Sequence, residues 1–239
     1  MKNMKLSIVL LGLSVLFTSS IAAQWSSIKG EGSVVKKEIS LADFDGIGLA
    51  IPANVFLTQG SSQKVVIEGQ ANIIKNIETD VKNGTWKIHY DKSVKKAEKV
   101  NIYITMANLR KISIAGSGDV SGKGAFKGMG DLAISIAGSG DVELSGDAKN
   151  VEVSIAGSGD VKMDGSARDV EVSIAGSGDV NLKALSAQNA EVSITGSGNC
   201  KVNVNGSLDV SIVGSGDVYY SGDAKVQSTV RGSGNVNKM

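Results

Sequence analysis

Asp141-Val142-Glu143-Leu144-Ser145-Gly146-Asp147-Ala148-Lys149-Asn150-Val151-Glu152-Val153-Ser154-Ile155-Ala156-Gly157-Ser158-Gly159 holds the fold in one unit. From Asp141 to Ser145 apolar and polar residues alternate, as they do in a strand with one buried face. Gly146 to Asn150 is rich in turn formers and reads as a corner. Alternation then resumes. Val151, Val153 and Ile155 share one face, Glu152 and Ser154 share the other, and Gly157-Ser158-Gly159 makes a second corner. Strands this short cannot bury an apolar face alone, so the unit has to stack on copies of itself.

The copies are present on both sides. Gly-Ser-Gly begins at Gly116, Gly138, Gly157, Gly176, Gly196, Gly214 and Gly232, at intervals of 22, 19, 19, 20, 18 and 18 residues. Each triplet is followed by Asp or Asn (Asp119, Asp141, Asp160, Asp179, Asn199, Asp217, Asn235) and then by Val or Cys200. A fixed period of this length predicts a solenoid. Each strand would pair with its equivalent one coil away, at about 4.8 Å, and the coils would share one interior. The inward ladder would be Ile114, Ile136, Ile155, Ile174, Ile194, Ile212 and Val230. The outward ladder would be Ser113, Ser135, Ser154, Ser173, Ser193, Ser211 and Thr229, a polar stripe along one face. The expected fold is therefore all-β, a parallel β-helix or β-solenoid over residues 111–239. An antiparallel up-and-down meander of the same period is the competing topology.

Residues 24–110 lack the repeat but alternate in the same way. Strands are predicted at Val34–Ile39, Gly46–Ile51, Val55–Gln59, Lys64–Glu68, Glu78–Val81, Thr85–Tyr90 and Val100–Thr105. Asn83-Gly84 is a hairpin signal, and Asn72 to Asn76 could hold one helical turn. This β-rich region is expected to cap the first coil and shield its open edge. After the last triplet no cap is evident, so the final coil would fray or be covered by a partner.

Composition supports that reading and excludes others. The chain has 239 residues, 41% hydrophobic and 4% aromatic, with 30 Gly and 1 Pro, which suits tight turns joining short aliphatic strands. Residues 1–23 read as a secretory signal peptide: Lys2 and Lys5, an apolar run from Leu6 to Phe17, then Ser20-Ile21-Ala22-Ala23 for cleavage. That run is short for a membrane span. No Cys follows the cleavage region, which speaks against a lipid anchor. Losing the two leader lysines takes the formal charge from +1 to −1, a balance that argues against nucleic acid as a partner. The dense basic stretch Lys92, Lys95, Lys96 and Lys99, diluted by Asp91 and Glu98, reads as a solvated loop. Cys200 is alone and fills a slot that Val occupies in other repeats, so it reads as a small buried residue. His89 is also alone, without a second His for a metal or triad site. The Gly-Ser-Gly triplets do not lead from a strand into a helix, as phosphate loops do. No cofactor is expected.

Several segments, taken in order, resemble a known family. Asp43-Phe44-Asp45-Gly46-Ile47 leads into Asn54-Val55-Phe56-Leu57-Thr58-Gln59-Gly60, followed by Val66-Ile67-Glu68-Gly69 and Asn83-Gly84-Thr85-Trp86-Lys87-Ile88. With the repeated Ser-Ile-Ala-Gly-Ser-Gly-Asp-Val these resemble the auto-transporter adhesin head domain called the GIN domain, from about Gly30 to Met239. The resemblance implies a right-handed parallel β-helix, export into a Gram-negative envelope and an adhesion role, with no catalytic residues to carry over. One departure is that no membrane barrel follows the repeats.

Three functional readings follow. The first is a non-catalytic adhesin-like or structural module, located in the periplasm, at the outer membrane or on the cell surface. It would present the Ser113-to-Thr229 ladder to a protein or glycan of the envelope, or to a second copy in a homo-oligomer. The bland alternative is that these hydroxyls only solvate a strand face. A periplasmic scaffold or sensor would have the same sequence features. The second is a polysaccharide-acting β-helix enzyme, which needs clustered carboxylates on long loops; the corners here are short and nearly identical. The third makes Asp119, Asp141, Asp160, Asp179 and Asp217 a calcium column, relieving like-charge repulsion. Turn geometry is the competing account, since a short Asp or Asn side chain accepts backbone N–H bonds and Asn stands at 199 and 235.

Overall fold

A computed structural model describes residues 27–239, and the leader expected at 1–23 lies outside the described residues. In chain order the first elements are β1 (Ser27–Lys29), β2 (Val34–Ile39), β3 (Gly46–Leu49), β4 (Ala53–Gln59), β5 (Lys64–Gln70), α1 (Ala71–Lys75), β6 (Val81–Lys82), β7 (Thr85–Ile88), β8 (Ser93–Lys96) and β9 (Val100–Met106). Then come β10 (Lys111–Gly116), β11 (Asp119–Gly138), β12 (Val142–Gly157), β13 (Val161–Gly176), β14 (Val180–Gly196), β15 (Cys200–Gly214), β16 (Val218–Ser221), β17 (Lys225–Gly232) and β18 (Val236–Lys238). The long strands β11 to β15 bend through the corner near Gly146 and so serve both flanks of the coil.

Every pairing from β10 to β18 is parallel, which settles the topology in favour of the solenoid over the meander. The register is one repeat on the next: Val151 opposes Val170, Ser154 opposes Ser173 and Gly157 opposes Gly176. Ile114, Ile136, Ile155, Ile174, Ile194 and Ile212 form the buried ladder expected. Val230 departs from it and is 39% exposed, because β17 pairs with β15 alone and no described strand lies beyond. The unequal intervals are absorbed at the corner away from Gly-Ser-Gly. There the register slips between Ser121 and Ala125, between Lys162 and Gly165, and between Leu182 and Ser186. The Gly-Ser-Gly corner keeps its register because glycine stacks on glycine: a Cβ on Gly157 would lie 2.2 Å from the Gly138 carbonyl oxygen.

The parallel stack continues into the region without the repeat. β3 lies between β10 and β7, and β4 between β11 and β9, all parallel. Residues 46–59 and 85–106 thus form two coils, and the earlier segment is sandwiched between later ones. Beyond β9 the pairing turns antiparallel, with β5 on β9 and β2 on β5. Asn83-Gly84 makes the predicted hairpin between β6 and β7, with both residues at positive φ (52° and 69°). α1 is the expected single turn, with Ile73 and Ile74 buried. β1 and β8 were not anticipated and form a separate two-stranded parallel ribbon.

Candidate functional site

The flank built from Lys111–Gly116 and its equivalents in later coils exposes columns of side chains set by the strand alternation. The serine ladder is in register from Ser113 through Ser135, Ser154, Ser173, Ser193 and Ser211 to Thr229. Ser113 and Ser154 are half-buried and the others exposed. Beside it runs a column that alternation places on the same side, Glu152, Glu171, Glu191 and Asp209, each opposite the next. None of these four acids makes an ion pair among the described residues.

A third polar ladder bounds the acidic column. Asn150 Nδ2 donates to Asp131 Oδ1 at 2.7 Å, and Asn189 Nδ2 donates to Asp169 Oδ1 at 2.9 Å. Arg168 bridges two rungs, donating through Nη2 to Asn150 Oδ1 (3.2 Å) and through Nε to Asp169 Oδ2 (2.7 Å). Ser207 Oγ donates to Asn189 Oδ1 at 3.0 Å. The amide of Asn189 and the guanidinium of Arg168 hold the Asp169 carboxyl below its ordinary range.

Between the second and third columns lies an open groove of about 680 Å³, lined by Asp131, Glu152, Asp169, Glu171, Glu191 and Asp209 with Arg110 at one end. Arg110 is already committed, donating from Nε and Nη2 to both oxygens of Asp45 (3.2 and 3.0 Å). A smaller depression of about 220 Å³ extends the groove and takes in Ser211, Gln227 and Thr229. The groove therefore follows the acidic column. Ser211 and Thr229 border its extension, and the other five members of the hydroxyl ladder line neither depression. Sequence reasoning put Glu152 on this face with Ser154 but did not follow it from coil to coil. The signal was available in Val-Glu-Val-Ser-Ile at 151–155 and 170–174.

The Asp and Asn residues after each triplet lie past the Gly-Ser-Gly corner, where Asp141, Asp160 and Asp179 line a depression with Glu143, Lys162 and Lys201, and all but Asn235 accept a backbone hydrogen bond. The N–H groups of Asp141, Asp160 and Asp179 donate to Oδ1 of Asp119, Asp141 and Asp160 at 3.3, 3.0 and 2.8 Å. Asn199 and Asn235 donate likewise to Asp179 and Asp217, both at 2.8 Å. Asn199 Oδ1 in turn accepts from Asp217 N–H at 3.1 Å, so an amide serves as well as a carboxylate. The bond runs between coils, where turn geometry alone had placed it within one corner. Among the described residues no three His, Cys, Asp or Glu side chains converge as a metal site would require. Cys200 is buried between Val180 and Val218, and burial pushes its thiol well up. His89 is exposed.

Parallel coils stacked in register on a shared glycine-lined corner define a β-solenoid repeat protein. The chain belongs to the family described as "Putative auto-transporter adhesin, head GIN domain", whose model matches residues 43–224. Two solved structures share both fold and sequence. A "putative adhesin" from Bacteroides fragilis is 26% identical, with 89% of this chain and 100% of that one covered and a TM-score of 0.83. A "putative lipid binding protein" from Parabacteroides distasonis is also 26% identical, covering 90% and 100% of the two chains with a TM-score of 0.74. A "putative adhesin" from Parabacteroides merdae, 19% identical with 89% and 99% covered, shares the fold with a TM-score of 0.69. No curated protein sequence matches the chain. No described helix is long and apolar enough to cross a membrane.

Proposed function

We propose that this chain is an exported, non-catalytic, adhesin-like binding module of the cell envelope, and that it engages its partner along the flank carrying the hydroxyl ladder and the acidic groove. One observation carries the reading. The groove runs along a sheet face where Glu152, Glu171, Glu191 and Asp209 stand in register without a cation between them. Like charges directly opposite on neighbouring strands destabilise a sheet, so a face arranged for stability alone would mix the signs. Family membership supports adhesion as the role. The partner class that suits an open polar face of this kind is an envelope protein or glycan.

The test is binding of the labelled protein to intact cells and to a glycan array, beside a Ser173→Arg/Ser193→Arg variant. Those two arginines crowd the face without entering the core. Binding by the parent and its loss in a variant with unchanged circular dichroism is the expected result. Undiminished binding by the variant would move the site off this face. Protection of the cell's own protein from protease until the outer membrane is opened would overturn a surface location.

A further inference from the structure

The molecule carries a second charged surface, opposite in sign to the groove. β1 and β8 pair in parallel, with Ser27 opposite Ser93, Ile28 opposite Val94 and Lys29 opposite Lys96. Lys95 also lies in β8, Lys92 and Lys99 flank it, and Lys29 and these four lysines are all exposed. None of the five forms an ion pair among the described residues. A ribbon of two short strands gains little from packing, and here it also holds two lysines across from one another. The segment that sequence alone assigns to a solvated loop is therefore an ordered basic edge.

The charge division is chain-wide. Residues 27–110 hold twelve Lys and Arg against nine Asp and Glu, a net of +3, whereas residues 111–239 hold eleven against fifteen, a net of −4. The acidic surplus includes the column on the groove floor, and the basic surplus includes the ribbon. In one chain the two stay apart: β8 lies between β7 and β9, in the coil below β3 and β4, and the groove begins at Arg110. The ribbon is also short enough to lie within the length of the groove. Four coil steps from Asp131 to Ser207 span about 19 Å, and the extended stretch from Lys92 to Lys96 spans about 13 Å.

We infer that the lysine ribbon of one copy docks on the acidic sheet face of a second copy. This rests on the reading of that face as a binding surface and names its occupant. Charge complementarity is the ground for it, because the five lysines and the four acids of the column make no ion pair within the described residues and find opposite charges on the other surface. The contact is electrostatic and solvent-exposed, so it weakens as salt screens it.

Sedimentation velocity on the purified protein tests this at about 10 mM salt, where the screening length is about 30 Å, and at about 1 M, where it is about 3 Å. The expected result is a mass above that of one chain at low salt and a single chain at high salt. Lys95→Glu/Lys96→Glu in the ribbon, or Glu171→Lys/Glu191→Lys in the groove, each leaves a single chain at low salt. Mixing the two variants restores association, since an acidic ribbon then meets a basic groove. A parent protein that stays a single chain at low salt overturns the inference. So does association that survives either reversal, or a mixture that fails to associate. If the parent is a single chain while Ser173→Arg/Ser193→Arg still abolishes binding to cells or glycans, the face remains a binding face and only the second copy fails as its occupant.

Discussion

The two flanks of the solenoid share an interior and differ outside. On one flank the outward column reads Ser121, Glu143, Lys162, Asn181, Lys201 and Tyr219 in register. Signs are mixed there, and Lys162 Nζ reaches Glu143 Oε1 at 2.6 Å. On the other flank the corresponding column runs Lys111, Ala133, Glu152, Glu171, Glu191, Asp209 and Gln227, with four acids in succession and no cation directly opposite any of them. Both are built by the same repeat on the same backbone, so local geometry did not force the difference. The first column follows the rule for cross-strand pairs and the second breaks it. That contrast between the two faces is the observation on which the proposed binding face rests.

The comparison depends first on both flanks being held in register by the corner they share. Gly176 sits there at φ 138°, and a Cβ added to it would lie 2.2 Å from the Gly157 carbonyl oxygen. Backbone strain and overpacking together predict that Gly176→Ala destabilises by about 3 kcal/mol or more. For a chain of this size that lowers Tm by roughly 6–12 °C in thermal unfolding. A variant that melts with the parent would show that the corner does not impose the register.

The second way to break the comparison is to change the sign of one charge on each flank. Glu143→Lys removes a pair and sets Lys opposite Lys162, so Tm falls by about 1–3 °C. Glu171→Lys places a cation between Glu152 and Glu191, so Tm rises by a similar amount. Opposite signs in one calorimetric series support the division between a stabilising and an unneutralised flank. The same sign in both would end it.

The smallest effect sharpens the stabilising side. The hydrogen bond from Lys162, with its charge, holds the Glu143 carboxyl below its ordinary value of 4.5. A carboxyl depressed in the folded state adds stability above the unfolded value, and that stability is lost as pH falls through the folded value. Glu143→Gln removes this contribution. The drop in Tm between about pH 7 and about pH 3 should therefore be slightly smaller in the variant than in the parent. Equal drops would mean that the surface pair contributes nothing, as many exposed pairs do.

What the sequence by itself determined is whatever repeats with the same local chemistry in every coil. The period, the glycine corner, the ladder of isoleucines and the serine column follow from alternation and from Gly-Ser-Gly. The Asp and Asn column was legible too, apart from the coil-to-coil direction of its hydrogen bonds. What only the tertiary structure decided is non-local. Residues 46–59 stack between 85–106 and 111–138, an order that no local pattern encodes, because strands adjacent in space there are distant in sequence. The acidic groove and the lysine ribbon have the same origin. Glu152 is one polar residue in a strand until Glu171 and Glu191 stand beside it, and Lys96 belongs to a loop until β1 arrives to pair with it. Alternation decides which way a side chain points; pairing between distant strands decides which charges it must live beside.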